Sequence, residues 1–357
     1  MEEDEEDERK EMIRMMKKEN AERKELLRKC KHFEDLHRKS KIINAIHQVM
    51  LMHHGAIAEF TLSMNLDNKC DEIDKIITYL SWKNTVKKLT LQMNVDLGDE
   101  IAPYKLPSSV FTFRLLTDLY LQQCSLYHLP RVGGFSCLTS LFLKDVGTNA
   151  AMVLRIVSKC PLLRSFGLVK FHWNVTFTLS FLCKLSGCLP VIEHLNIPIM
   201  PYWLSKSKFD LPKHPTPMVH LKYAHLHGSC FIGEYGWLFA VNFIRSSINL
   251  EKLKLQGYHN FKEKISEIDS FIPEENPDIR LEHLKELEFN VYRIIPELKF
   301  MKLILAISPV LKKVKITFQH IVNKHEEVDM LKDLSDAPRA SEMAEIVVEH
   351  LLSDDES

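Results

Sequence analysis

The chain has 357 residues, of which 45% are hydrophobic, and its formal net charge is -1. That length supports a large core, and a charge balance so near zero excludes the basic footprint of a nucleic-acid binder. No N-terminal apolar stretch follows a basic segment, no apolar run could span a bilayer, and the 8 cysteines come without a secretion signal, so reduced thiols in the cytoplasm or nucleus are expected.

Residues 1–40 stand apart. Seven of the first eight residues are acidic, and a run rich in Lys, Arg and Glu follows from Arg9 to Lys41. The apolar residues there (Met12, Ile13, Met15, Met16, Leu26, Leu27, Phe33 and Leu36) do not hold a heptad, which argues against a long coiled coil. Three readings stay open: a solvated, partly helical extension, a docking helix, or a basic import patch around Lys17-Lys18 and Arg28 to Lys31. From Ile42 to Met52 a helix-like segment is placed to cover the first strand that follows.

A short phrase then recurs: apolar, two variable residues, apolar, one variable residue, apolar. Leu116-Thr117-Asp118-Leu119-Tyr120-Leu121 is its clearest copy, and Cys124, Leu126, Leu129 and Pro130 extend it. Copies open at Ile57, Val86, Leu116, Leu138, Leu163, Ile192, Leu221, Leu250, Leu284 and Leu311, between 22 and 34 residues apart. One copy alone is weak, but ten at a near-regular period are the mark of a leucine-rich repeat, whose units must stack to bury their apolar faces. Between copies, helical spacing is seen at Ile73, Ile76, Ile77 and Leu80 and again at Val153, Leu154, Ile156 and Val157. A small residue or Cys with Pro nearby precedes the next strand in Cys160-Pro161-Leu162-Leu163, Cys188-Leu189-Pro190-Val191-Ile192 and Ser308-Pro309-Val310-Leu311, and Pro stops a helix there. The predicted fold class is α/β: a solenoid of about ten parallel strands on the concave face with helices on the convex face. At the C-terminal end, a helix near Glu326–Ser335, then Pro338, then a strand at Glu345–Val348 would lie beside Leu311–Thr317 as a cap. Residues 351–357 are expected to be a disordered tail.

Alternation along each strand sends the variable positions to the concave face. These are Asp118, Tyr120 and Gln122, then Ser140, Phe142 and Lys144, and farther on Tyr223, His225 and His227. Tyr120 and Phe142 would stand as neighbours, strands being about 4.8 Å apart. Aromatic clusters of this kind are enriched at interface hot spots, although loop side chains could equally cover them. On later strands Lys252 and Lys254 would face Glu286 and Glu288, which would face Lys313 and Lys315, a self-neutralising ladder.

No catalytic constellation is found. Gly133-Gly134 and Gly233 to Gly236 are too short to cradle phosphate, and there is no G-x-S-x-G elbow. Cys183 and Cys188 read as helix-side core residues, and His220, His225 and His227 have no second pair at zinc spacing, so neither metal nor cofactor is expected. Asn174-Val175-Thr176 matches a glycosylation acceptor, which without secretion reads as chance.

Several phrases resemble plant F-box/FBD/LRR proteins. They are Pro103-Tyr104-Lys105-Leu106-Pro107 with Ser108-Ser109-Val110-Phe111, Gly134-Phe135-Ser136 with Leu138 and Leu141, and Ser158-Lys159-Cys160-Pro161-Leu162-Leu163. Lys41 to Asn44, His53-His54-Gly55 and Phe60 to Ser63 look like the stretch that follows the F-box in that family. Ser308 to Val314, Met330 to Leu334, Pro338 to Ser341 and Ala344 to Ile346 resemble its FBD signature. The implied organisation is a charged extension at 1–40, leucine-rich repeats at 41–296, an FBD-like region at 297–350 that continues the solenoid, and the tail. Residues 1–40 do not carry an F-box pattern of the form L-P-D with a later S-x-x-W. The resemblance therefore implies a non-catalytic protein-interaction module with an unidentified protein partner, like the substrate-reading part of a ubiquitin-ligase receptor. The alternative is a working receptor that still engages the Skp–cullin–F-box adaptor. Neither nucleic acid nor membrane is an expected partner.

Overall fold

The structure, a computed structural model, describes residues 2–65, 70–94, 103–126, 135–169, 179–199, 217–228, 233–257, 279–291, 294–318 and 324–350. The glycosylation-like Asn174, the Gly133-Gly134 pair and the tail at 351–357 lie outside the described residues, as does the side chain of Cys183.

The strands are β1 (Glu59–Asn65), β2 (Lys88–Asn94), β3 (Tyr104–Lys105), β4 (Asp118–Gln122), β5 (Cys124–Ser125), β6 (Ser140–Lys144) and β7 (Ser165–Val169). They continue with β8 (His194–Ile199), β9 (Tyr223–Gly228), β10 (Lys252–Gln256), β11 (Glu286–Val291), β12 (Lys313–Phe318) and β13 (Glu345–His350). All but β3 and β5 form one 11-stranded sheet in strict chain order, and every pair in it is parallel. The ten phrases read in the sequence each open two residues before one of the first ten strands of this sheet. The eleventh, β13, pairs with β12 from Lys313↔Glu345 to Phe318↔His350.

A turn sets up most of these strands. The backbone N–H of the phrase's first apolar residue closes on the carbonyl three residues earlier, as in Leu138 to Phe135 (3.1 Å), Leu163 to Cys160 (3.1 Å), Leu250 to Ser247 (3.1 Å) and Leu311 to Ser308 (3.4 Å). Pro161, Pro190 and Pro309 fall at the second position of such turns, where a fixed φ near -65° is wanted. The next strand is then stitched on at a fixed offset: Asp118 N donates to Lys87 O, Ser140 N to Thr117 O, Ser165 N to Thr139 O, His194 N to Arg164 O, and so on to Glu345 N with Lys312 O.

The alternate residues of each strand face the helices and build the core. Leu119, Leu121, Leu141, Leu143, Phe166 and Leu168 are each at most 3% exposed, and Leu253, Leu255, Leu287 and Phe289 continue the stack. Helices cover that side: α1 (Glu2–Met52), α2 (Asp71–Lys83), α3 (Ala150–Val157), α4 (Leu179–Cys188), α5 (Gly233–Ser246), α6 (Ile294–Ile307) and α7 (Lys324–Ser335). Ile73, Ile76, Ile77 and Leu80 on α2, and Met152, Val153, Ile156 and Val157 on α3, supply buried stripes at helical spacing. Asn149 caps α3 by accepting from Met152 N at 2.8 Å.

The expected strand–loop–helix unit is not uniform. Among the described residues between β2 and β4, a 3₁₀ turn at Ser108–Thr112 stands where the unit calls for an α-helix. The shortest repeat, from Leu116 to Leu138, shows only the two-residue β5 among its described residues, since 22 residues leave little chain for a helix after strand and turn. Cys124 is fully buried there; burial pushes its thiol up to about 12, and it donates to Gln122 O at 3.3 Å.

At the N-terminal end, Ile43 and Met50 of α1 are buried, and Ile42 and Ile46 pack on the same core. Earlier on α1, Met12, Met15, Met16, Leu26, Leu27 and Phe33 are exposed. At the other end α7 buries Met330 and Leu334, Ala340 N donates to Leu305 O at 2.9 Å, and buried Ser341 gives its hydroxyl proton to Leu311 O at 2.7 Å.

Candidate interaction face

Strand register places the outward residues in straight rows across the sheet. One row runs Asp118, Ser140, Ser165, His194, Tyr223, Lys252. A second runs Tyr120, Phe142, Gly167, Asn196, His225, Lys254. A third begins Gln122, Lys144, Val169 and resumes with Pro198, His227 and Gln256. Asp118, Tyr120, Gln122, Ser140, Phe142, Lys144, Tyr223 and His225 are all half-buried.

Tyr120 and Phe142 stack with ring centroids 5.3 Å apart and planes within 2°. Such a pair contributes about 0.5–1.5 kcal/mol beyond the area it buries. Gly167 makes the stack possible. A Cβ there would lie 2.1 Å from Cδ2 and 2.4 Å from Cε2 of Phe142, so the ring occupies the place of the missing side chain. The Tyr120 hydroxyl donates to Gln122 Oε1 at 3.0 Å, and burial raises its pKa above the ordinary phenol value.

The two nominated clusters lie apart on the face. Tyr223 and His225 sit on β9, three strands from β6. His194 packs against Tyr223 with centroids 6.1 Å apart, and His225 Nε2 meets Gln256 Oε1 at 3.2 Å. Burial, with Lys254 beside it, pushes the His225 imidazole down to about 4. Asn196 Oδ1 is buried with no hydrogen-bond partner among the described residues.

His227 corrects the sequence expectation. It occupies an outward position of β9, yet it is only 2% exposed. Its ring folds over Pro198 to reach Leu168 O at 3.0 Å, which removes it from the open face.

The charge ladder is in the expected register: Lys252↔Glu286↔Lys313 and Lys254↔Glu288↔Lys315. Lys252 Nζ contacts Glu286 at 2.9 Å and Glu288 at 2.5 Å, and Lys254 contacts Glu288 at 3.3 Å. Burial alone would raise the Glu288 carboxyl, but the two lysines hold it below its ordinary value. Lys315 turns to Glu349 on β13 at 2.8 Å, an ion pair absent from the expected ladder.

Gly167, Asn196, Thr61 and Thr90 were not nominated from the sequence, although the same outward offsets applied to the phrases at Leu163, Ile192, Ile57 and Val86 name them. Among the described residues, no group of three His, Cys, Asp or Glu is placed to hold a metal, and no helix is long and apolar enough to cross a membrane.

Residues 74–197 match the family model described as FBD-associated F-box protein At5g56370, LRR repeats. The F-box/FBD/LRR-repeat protein At1g13570 of Arabidopsis thaliana is 25% identical over 364 residues, which cover 86% of this chain and 83% of that relative. With the parallel sheet in chain order and the repeated turn before its strands, these matches make the chain a leucine-rich-repeat solenoid similar to plant F-box/FBD/LRR-repeat proteins.

Proposed function

We propose that the chain is a non-catalytic protein-interaction module that reads a protein target on its concave face, in the manner of the substrate-recognition part of F-box ubiquitin-ligase receptors. The observation that carries this reading is the half-buried Tyr120–Phe142 stack on the third and fourth strands of a face whose lysines and glutamates farther along largely pair with each other. Buried aromatic anchors in a desolvated setting are the usual energetic centres of interfaces. Asp118, Gln122, Ser140 and Lys144 flank the stack as polar partners, and Tyr223 with His225 form a second contact region. His227 acts from below by holding the sheet beneath it.

The working division is an extension at 1–40, repeats at 41–296, an FBD-like region at 297–350 and a tail at 351–357. The β12–β13 pairing favours treating the FBD-like region as the last turn of the stack. The working location is the cytoplasm or nucleus. Affinity purification with mass spectrometry tests the reading. Proteins captured by the wild type should be lost with Tyr120→Ala/Phe142→Ala and kept with Lys184→Ala on the helical side. Equal capture by all three would contradict it.

A second reading has the chain joining a ubiquitin ligase, with α1 engaging the adaptor. The exposed Leu26, Leu27 and Phe33 along that helix favour it. Adaptor binding that is lost with Leu27→Ala/Phe33→Ala would support this reading; no binding by the wild type would remove it.

A further inference from the structure

We propose that the concave face contains a docking position for one aromatic side chain of an uncharged protein segment, seated on the face of the Tyr120 ring that looks toward β2, above Thr90 and Thr61. This deepens the recognition reading and rests on it.

The geometry starts at Gly167. Phe142 fills the place of the side chain Gly167 lacks, so its ring leans toward β7. The Tyr120 ring is parallel to it within 2°, so it leans the same way and has one face against Phe142. Its second face turns toward β2. The residue in register there is Thr90, and the next is Thr61 on β1, both small and uncharged. Tyr120 is half-buried and its hydroxyl is engaged by Gln122, so little further ordering is needed when a ligand stacks on it. An aromatic ring fits such a face at a centroid separation of about 4.5–7 Å and brings about 150–250 Å² of its own surface.

Charge decides the class of partner. From Thr61 through Thr90, Tyr120, Phe142 and Gly167 to Asn196, the central row carries no ionisable side chain except the Tyr120 phenol, which burial keeps protonated. On one flank Lys88 is already bound to Glu59 at 2.9 Å, and Asp118 stands in register beside it. On the other flank stand Gln92, Gln122 and, one strand on, Lys144. The lysines of β10 and β12 are held by Glu286, Glu288 and Glu349. Asp118 and Lys144 stand on opposite flanks and offer no field of one sign, so a phosphorylated or strongly charged segment would lose hydration over this row with little net counter-charge, whereas a neutral one would not.

The test pans a random peptide library displayed on phage against the full chain. Enriched peptides should share one Trp, Phe or Tyr among uncharged neighbours. A synthetic peptide from that set should bind at least about tenfold more weakly to Tyr120→Leu and to Thr90→Phe, which fills the space, and about equally to Tyr120→Phe. If Thr90→Phe does not fold by circular dichroism, the contrast of Tyr120→Leu with Tyr120→Phe decides. No enrichment, enrichment of charged peptides, or binding indifferent to Tyr120→Leu would overturn the proposal. If indifferent binding is nevertheless lost with His225→Ala/Lys254→Glu, only the aromatic position is wrong and concave-face recognition stands. If it survives those changes too, both fall.

Discussion

His227 donates from Nε2 to the carbonyl of Leu168, 3.0 Å away, and it does so at a rung where the sheet has lost a donor. His194 N donates to Arg164 O, so the same offset along β8 would bring residue 198 to Leu168 O. Residue 198 is Pro and has no N–H. The β7–β8 ladder accordingly ends at Gly167↔Asn196, while β8 and β9 stay paired to Ile199↔Gly228. The imidazole of His227, in register with Pro198, supplies the missing hydrogen bond and is buried by doing so.

This relationship predicts a coupling. His227→Leu leaves a buried carbonyl unpaired and should cost about 1–3 kcal/mol in chemical denaturation. Pro198→Ala restores an N–H for Leu168 O, so the double variant should lose less than His227→Leu alone. Strict additivity would mean that the two residues do not serve the same carbonyl.

Gly167→Ala should be destabilising for a steric reason. Its Cβ would overlap the Phe142 ring, and overpacking costs about 1–3 kcal/mol. The loss should shrink in a Phe142→Ala background, which removes the clash. A full-size loss in both backgrounds would place the strain elsewhere.

Stability should fall on mild acidification. Burial pushes His225 down to about 4 and His227 to about 3, from 6.5. Both are neutral in folded and unfolded chains above pH 6.5, so their contribution is complete there. Below 6.5 the unfolded chain takes up protons that the folded chain refuses until about pH 4 to 3, and stability declines through that window. In urea melts between pH 7.5 and 4.5, His225→Gln/His227→Gln should show a shallower decline than the wild type. Parallel curves would contradict the assignment.

Glu288→Lys should destabilise the C-terminal half, because Lys252 and Lys254 both lose a partner and acquire a like charge. Cross-strand pairs of this type contribute about 0.2–1 kcal/mol each, and salt should narrow the gap to the wild type since the site is partly solvated. No change in melting temperature at low salt would mean the ladder is idle.

A chain ending at Phe318 removes α7 and β13, strips Met330 and Leu334 from the core and bares the outer edge of β12. It should aggregate or unfold without a cooperative transition. A soluble fragment with a sharp melt would show that the last repeat is dispensable.

The strands of this fold were legible because each is announced twice, by the buried first residue of its turn and by the alternation that follows. Leu138, Leu163 and Leu250 close turns and are at most 1% exposed, so the phrase marks a physical event and not merely a composition. The outward rows were legible for the same reason, since the repeat spacing alone sets Tyr120 beside Phe142. His227 departs from the expectation because alternation reports the face a residue points to and not whether it is then drawn beneath that face; the clue was Pro198, 29 residues away and one strand over. Gly167 was passed over because a missing side chain has no signal of its own until the neighbour that fills its space is known. The ion pair of Lys315 with Glu349 depended on the exact pairing of β13, which the sequence placed only approximately.

Photo-crosslinking tests the central claim most directly. A photoreactive amino acid is placed in the full chain at Thr61 and Lys144 on the concave face and, separately, at Lys184 on α4. Recognition by the concave face predicts one and the same protein joined to the chain from Thr61 and Lys144 and not from Lys184. Adducts from Lys184 with none from the two concave positions would contradict it.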